Sequence, residues 1–132
     1  GAKGFRQGLL SEVEVAEQAD ERGEGRGLGY NLNLPLPRKT GDEGFMAALA
    51  TAMQRLRAFA PDALVVALGL DAHESDPFGG LSVTTRGFSG IGSLIGTAKL
   101  PTVLVQEGGY KNEALGANLI SFLAGFRKAH GV

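Results

Sequence analysis

Asp71, His73, Glu74 and Asp76 put four ionisable side chains within six residues, directly behind the uncharged run Ala63-Leu64-Val65-Val66-Ala67-Leu68-Gly69-Leu70. Carboxylate oxygen and imidazole nitrogen suit zinc or a similar cation, so the cluster reads as a cation or proton-transfer site. Asp71 and His73, two residues apart, would face one ion if the chain stayed extended there, which makes a metal-binding protein using Asp71, His73 and Glu74 one reading. The plainer reading is that Asp76-Pro77 makes a turn and His73 is solvated. A catalytic zinc normally takes three protein ligands and a water. With His73 and His130 as its two histidines, and no cysteine, the chain is sparsely supplied.

A second uncharged run, Val103-Leu104-Val105, breaks into Gln106-Glu107-Gly108-Gly109-Tyr110. Two glycines let backbone approach a ligand closely, and a phenol can donate a hydrogen bond to a developing oxyanion. The alternative is a Gly-Gly turn before a half-buried tyrosine.

Both runs must be positioned by buried strands, because β-branched stretches without apolar/polar alternation suit a parallel sheet, and ligands collect beyond the carboxyl ends of such strands. Asp71 and Tyr110 would then stand side by side at one sheet edge. The spacing predicts a helix from Glu43 to Ala60 with Phe45, Leu49, Met53 and Leu56 on one face and Asp42 as its N-cap. A second helix, capped by Thr84 or Thr85, would carry Phe88, Ile91, Leu94 and Ile95. A last one, capped by Asn112, would bury Leu115, Leu119, Phe122 and Phe126. Tyr30 to Leu34 alternates and stops at Pro35, so it reads as a further short strand, and residues 11–19 as a short helix. The expected order is βαβαβα, with three parallel strands in one sheet and helices packed on it. Gly25-x-Gly27-x-Gly29 precedes a strand instead of following one, so it reads as a connector and not as a dinucleotide fingerprint.

At 132 residues, 43% apolar and 20% charged, the chain fits one globular domain. A net charge of −1 without a Lys/Arg block leaves no electrostatic footprint for nucleic acid or an anionic membrane surface. No apolar stretch approaches a membrane span and no signal-peptide pattern opens the chain, so a cytoplasmic location is expected.

Taken together, Asn31-Leu32-Asn33-Leu34-Pro35-Leu36-Pro37, Gly69-Leu70-Asp71-Ala72-His73-Glu74-Ser75-Asp76-Pro77 and Glu107-Gly108-Gly109-Tyr110, in that order, resemble the zinc-dependent histone deacetylase and acetylpolyamine amidohydrolase family, in its bacterial class II-like members. The resemblance implies a three-layer α/β sheet, the C-terminal part of the arginase/deacetylase fold. It implies that Asp71 is a Zn2+ ligand, that Phe78 lines an acyl-lysine tunnel with Gly108 and Gly109 as wall, and that Tyr110 polarises the substrate carbonyl. His73 then matches a position that often carries histidine without being a ligand, so the metal role of His73 stands only as the alternative.

Family members carry upstream a His-His pair as general base and an Asp-x-His motif with the other two zinc ligands; no histidine precedes Asp71 here. Residues 25–132 therefore resemble the C-terminal half of a catalytic domain, preceded by a poorly matched segment 1–24. The expectation is part of a hydrolase that removes acetyl groups from acetyl-lysine or acetylpolyamine amides, inactive as an isolated chain. Self-association or a complementary N-terminal half would complete it. The alternative is a truncated, non-catalytic module for binding or oligomerisation.

Overall fold

Leu64–Leu68 forms strand β1 and Thr102–Gln106 forms β2, paired in parallel with Leu64 opposite Thr102 and Leu68 opposite Gln106. Around them the computed structural model describes residues 19–132. Helix α1 (Asp42–Phe59) precedes β1, α2 (Thr85–Gly96) lies between the strands, and α3 (Leu115–His130) follows β2. The architecture is α/β, a parallel sheet with helices packed on it. No helix among the described residues is long and apolar enough to cross a membrane.

The helical periodicities hold. Phe45, Leu49 and Met53 of α1, Phe88, Ile91 and Ile95 of α2, and Phe122 and Phe126 of α3 are buried in one cluster, with Leu56, Leu94, Leu115 and Leu119 partly buried against it. Helices α2 and α3 approach backbone to backbone. A β-carbon at Gly92 would lie 2.2 Å from the Phe122 carbonyl oxygen, and one at Gly125 would lie 2.0 Å from that of Ser89.

Three expectations need correction. Among the described residues the sheet has two strands, not three: Tyr30 to Leu34 forms no strand. Its prolines at 35 and 37 stop a ladder, and its asparagines are taken up locally. Asn31 Nδ2 donates to the Glu21 carbonyl (3.1 Å), and Asn33 Nδ2 donates to Glu21 Oε2 (2.7 Å). Asp42 does not cap α1. Gly41 is the N-cap, and the Asp42 carboxylate accepts from Thr84 N (2.8 Å) and Thr84 Oγ1 (2.6 Å) at the start of α2, where the positive helix end favours an anion. Asn112 closes a turn by accepting from Ala114 N (2.9 Å), and α3 starts one residue later, with Ala114 as its N-cap. Thr84 does cap α2, its hydroxyl accepting from Gly87 N (3.0 Å). The helix expected over residues 11–19 lies, but for its last residue, outside the described residues.

The strands are not covered on both faces. Leu64, Val66, Leu68 and Leu104 face or border the core, whereas Val65 is 70% exposed and its register partner Val103 is 58% exposed. Val105, beside Ala67, continues this apolar stripe on the open face.

The close α2/α3 contact has a measurable consequence. Gly125→Ala is expected to lower unfolding stability by about 1–3 kcal/mol through overpacking. Gly116→Ala on the open side of the same helix, where no atom lies within 4 Å, is expected to be neutral or stabilising by up to about 1 kcal/mol. Denaturant titration of the two variants checks the difference.

Candidate active site

Beyond the last paired residues the two chains keep their register. Glu107 N donates to the Leu68 carbonyl (3.1 Å), and Leu70 N donates to the Gly108 carbonyl (2.9 Å). The first strand then turns through a single 3-10 turn, Leu70–Ala72. Leu70 is fully buried and Ala72 nearly so, which anchors the turn on both sides of Asp71. The Asp71 carboxylate lies flat against Gly108: a β-carbon there would sit 2.5 Å from Oδ1 and 2.7 Å from Oδ2. On its other side a β-carbon at Gly79 would meet the Asp71 carbonyl oxygen at 1.9 Å. Asp71 is thus held between two glycines, and its Oδ1 is buried.

Gly109 has φ +130, backbone that side chains rarely adopt, and a β-carbon would press on Leu70 and Leu115 at 2.9 and 3.0 Å. This bend brings Tyr110 round to Phe78. Their rings meet edge to face with centroids 5.0 Å apart and an interplanar angle of 78°, and both are open to solvent, 46% exposed for Tyr110 and 75% for Phe78. Asp71, Phe78, Gly108, Gly109 and Tyr110 therefore share one corner of the fold, at the carboxyl ends of β1 and β2.

His73 is not solvated. It is buried, stacked near the Phe88 ring (6.3 Å between centroids), and its backbone bridges to Val83. Its Nδ1 accepts from Ser75 N (3.2 Å) and lies 3.0 Å from Ser75 Oγ. Its Nε2 is 3.3 Å from Thr85 Oγ1, whose proton goes to Asn118 Oδ1 (2.7 Å). That hydroxyl can then only accept, which assigns the ring proton to Nε2 and leaves both nitrogens engaged inside the protein. Glu74 is exposed. Among the described residues no group of three or more His, Cys, Asp or Glu side chains is placed to hold a metal ion. Asp71 supplies one carboxylate, and a complete zinc ligand set is not built from these residues.

One residue of the corner, Gly79, went unremarked, and another, Asp76, was read only as a member of the ionisable cluster or as a turn former. Gly79 permits the Asp71 carbonyl to pass. Asp76, nearly buried, accepts from Phe78 N and Gly79 N with Oδ1 (2.9 Å each) and from Tyr110 N with Oδ2 (3.0 Å). The sequence signal for its local half is Asp-Pro-Phe-Gly-Gly, the pattern of an aspartate that folds a turn onto itself. Nothing in the sequence marks the bond to Tyr110.

A match to the family described as Histone deacetylase domain runs over residues 15–126. The chain belongs to that family. It is 51% identical over 117 residues to the acetylpolyamine amidohydrolase of Burkholderia pseudomallei, covering 89% of this chain and 34% of that protein. It is 43% identical over 97 residues to histone deacetylase 8 of Arabidopsis thaliana, covering 69% of this chain and 26% of that one. The crystal structure of the Burkholderia pseudomallei acetylpolyamine aminohydrolase superposes with a TM-score of 0.83 over 87% of this chain and 34% of its own. The chain thus spans about a third of the length of the curated amidohydrolases it matches.

Because the Asp71 carboxylate rests on the Gly108 Cα, Gly108→Ala is expected to turn that carboxylate out of place. Amide chemical-shift changes should concentrate at residues 69–72 and 106–111. Unchanged shifts around Asp71 would contradict the packing.

Proposed function

We propose that this chain is one part of a deacetylase catalytic unit which hydrolyses acetyl-lysine or acetylpolyamine amides, contributing one metal ligand and the oxyanion donor. The observation that carries this reading is the convergence of Asp71 and Tyr110 on one corner, through the glycine contact at Gly108 and the bend at Gly109. The family membership and the acetylpolyamine amidohydrolase relatives support the substrate class.

In the completed unit Asp71 would be one of the zinc ligands, and the ion, when bound, would supply Lewis-acid polarisation and an activated water. Tyr110 is the chain's own chemical group. Its phenol donates to the carbonyl oxygen as that oxygen becomes anionic, a contribution that grows toward the transition state. Phe78, beside it, forms apolar wall for the acyl-bearing chain. The engagement of both His73 nitrogens supports a supporting role for that ring and speaks against its sharing a metal with Asp71.

The rest of the site must come from another polypeptide segment, the N-terminal half of the catalytic domain. The open sheet face supports a place for it: Val65, Val103 and Val105 form an exposed apolar stripe along the paired strands. Such a surface is normally covered by a partner element. Among the described residues no group of His, Cys, Asp or Glu side chains is placed to complete a metal site around Asp71. That shortage also favours the second reading, a truncated module that associates without catalysing.

Zinc content and acetyl-amide hydrolysis of variants in the completed unit test the roles. Asp71→Ala is expected to remove zinc and activity together, and His73→Ala to keep most of the zinc. Tyr110→Phe should keep zinc and lose about 10²-fold in kcat. Loss of zinc in His73→Ala, with Tyr110→Phe fully active, would overturn the assignment.

The isolated chain is expected to show no zinc-dependent hydrolysis, and to gain it on addition of the complementary half. Val103→Asp, which charges the open sheet face, should abolish that gain by weakening association, as read by light scattering. Turnover by the isolated chain, lost with chelator and restored by zinc, would contradict this.

A further inference from the structure

We propose that Asp76 is a positioning residue for the reaction, the group that sets where the Tyr110 hydroxyl and the Phe78 wall stand; this rests on the deacetylase reading above. Neither ring is buried in the core: Phe78 is 75% and Tyr110 46% exposed, and they meet each other edge to face at the surface. Tyr110 also follows Gly108-Gly109, two residues whose backbone has a wide conformational choice. Something other than the core must therefore hold the pair, and a single buried carboxylate does so. Oδ1 accepts the N–H groups of Phe78 and Gly79, and Oδ2 accepts that of Tyr110, 34 residues further along the chain. Asp76 is itself fixed from behind, its N–H donating to the His73 carbonyl (3.1 Å). His73 is in turn buried and bridged to Val83. The buried segment behind β1 thus reaches through Asp76 to the loop that follows β2.

The bond to Tyr110 uses its backbone, so the phenol stays free for substrate. Charge-assisted acceptors of this kind are stronger and shorter than neutral ones, and a misplacement of about 1 Å in a catalytic group can cost on the order of 10²-fold in rate. Asp76 acts on the chemistry only through the groups it holds.

Asp76→Asn keeps the shape but replaces one acceptor oxygen with an amide that donates. In the completed unit it is expected to keep its zinc and to lose about 10- to 100-fold in kcat. Asp76→Ser keeps a short acceptor for the Phe78 turn and cannot reach Tyr110, so it should show the kcat loss with little change in KM. The deciding measurement is the double variant. Once Tyr110→Phe has removed the phenol, Asp76→Asn has no donor left to misplace, and its further cost should fall to a few-fold or less. Amide hydrogen exchange at Tyr110 should speed up in both single Asp76 variants.

Equal, multiplicative losses in the wild-type and Tyr110→Phe backgrounds would show a general folding defect and overturn the positioning role while leaving the deacetylase reading intact. Wild-type kinetics in both Asp76 variants would overturn it equally. Absence of zinc-dependent hydrolysis in the wild-type unit would overturn the deacetylase reading, and this role with it.

Discussion

The parallel register of β1 and β2 is the constraint from which the rest follows. Leu68 opposite Gln106 fixes both strand ends at one level, and the two hydrogen bonds beyond them, Glu107 to Leu68 and Leu70 to Gly108, carry that alignment into the loops. A slip of one residue would reverse every side chain along a strand, removing Leu68 from the core and Asp71 from Gly108 together. The helices maintain this register from one side. The fully buried Leu70 continues the strand's core contact into the turn, and the glycines of α2 and α3 draw those helices to backbone contact beneath it.

Much of this was legible in the sequence, for physical reasons that differ by element. The three helices announce themselves through the spacing of Phe45, Leu49 and Met53, of Phe88, Ile91 and Ile95, and of Phe122 and Phe126, because one apolar face must meet one core. Uncharged runs give the two strands. They do not tell whether both faces are covered within this chain, since a strand whose second face is covered from outside reads the same as one covered from within. Val65 and Val103 carry that ambiguity. Caps were less legible. Asp42 has the right residue type next to a helix start, yet its carboxylate serves the neighbouring helix, a choice decided by tertiary distance.

The corner where Asp71, Phe78 and Tyr110 meet was readable as two strand ends, while its supports were not. Gly79 looks like an ordinary loop glycine in sequence and Gly108 reads as one that lets backbone approach a ligand, and each is required by one atom group of Asp71 that passes within a β-carbon's reach. Asp76 looks like a turn residue and is one, but its second oxygen ties that turn to a loop 34 residues away. Long-range bonds of this kind leave no periodicity. The same holds for His73, whose burial between Phe88 and the Thr85 hydroxyl follows from the bridge to Val83 and not from any local pattern. Family membership accounts for the presence of these residues together, and the chain spans about a third of the length of the related amidohydrolases.

The central claim, that this chain brings one metal ligand and an oxyanion donor to a site finished by another segment, is tested most directly by a crystal structure of the completed unit with zinc and a carbonyl-bearing inhibitor, the metal located by anomalous scattering. The expected result is zinc bound to the Asp71 carboxylate, with the Tyr110 hydroxyl about 2.7–3.1 Å from the inhibitor's carbonyl oxygen. Zinc bound elsewhere, or an Asp71 carboxylate turned away from it with Tyr110 pointing to solvent, would contradict the claim.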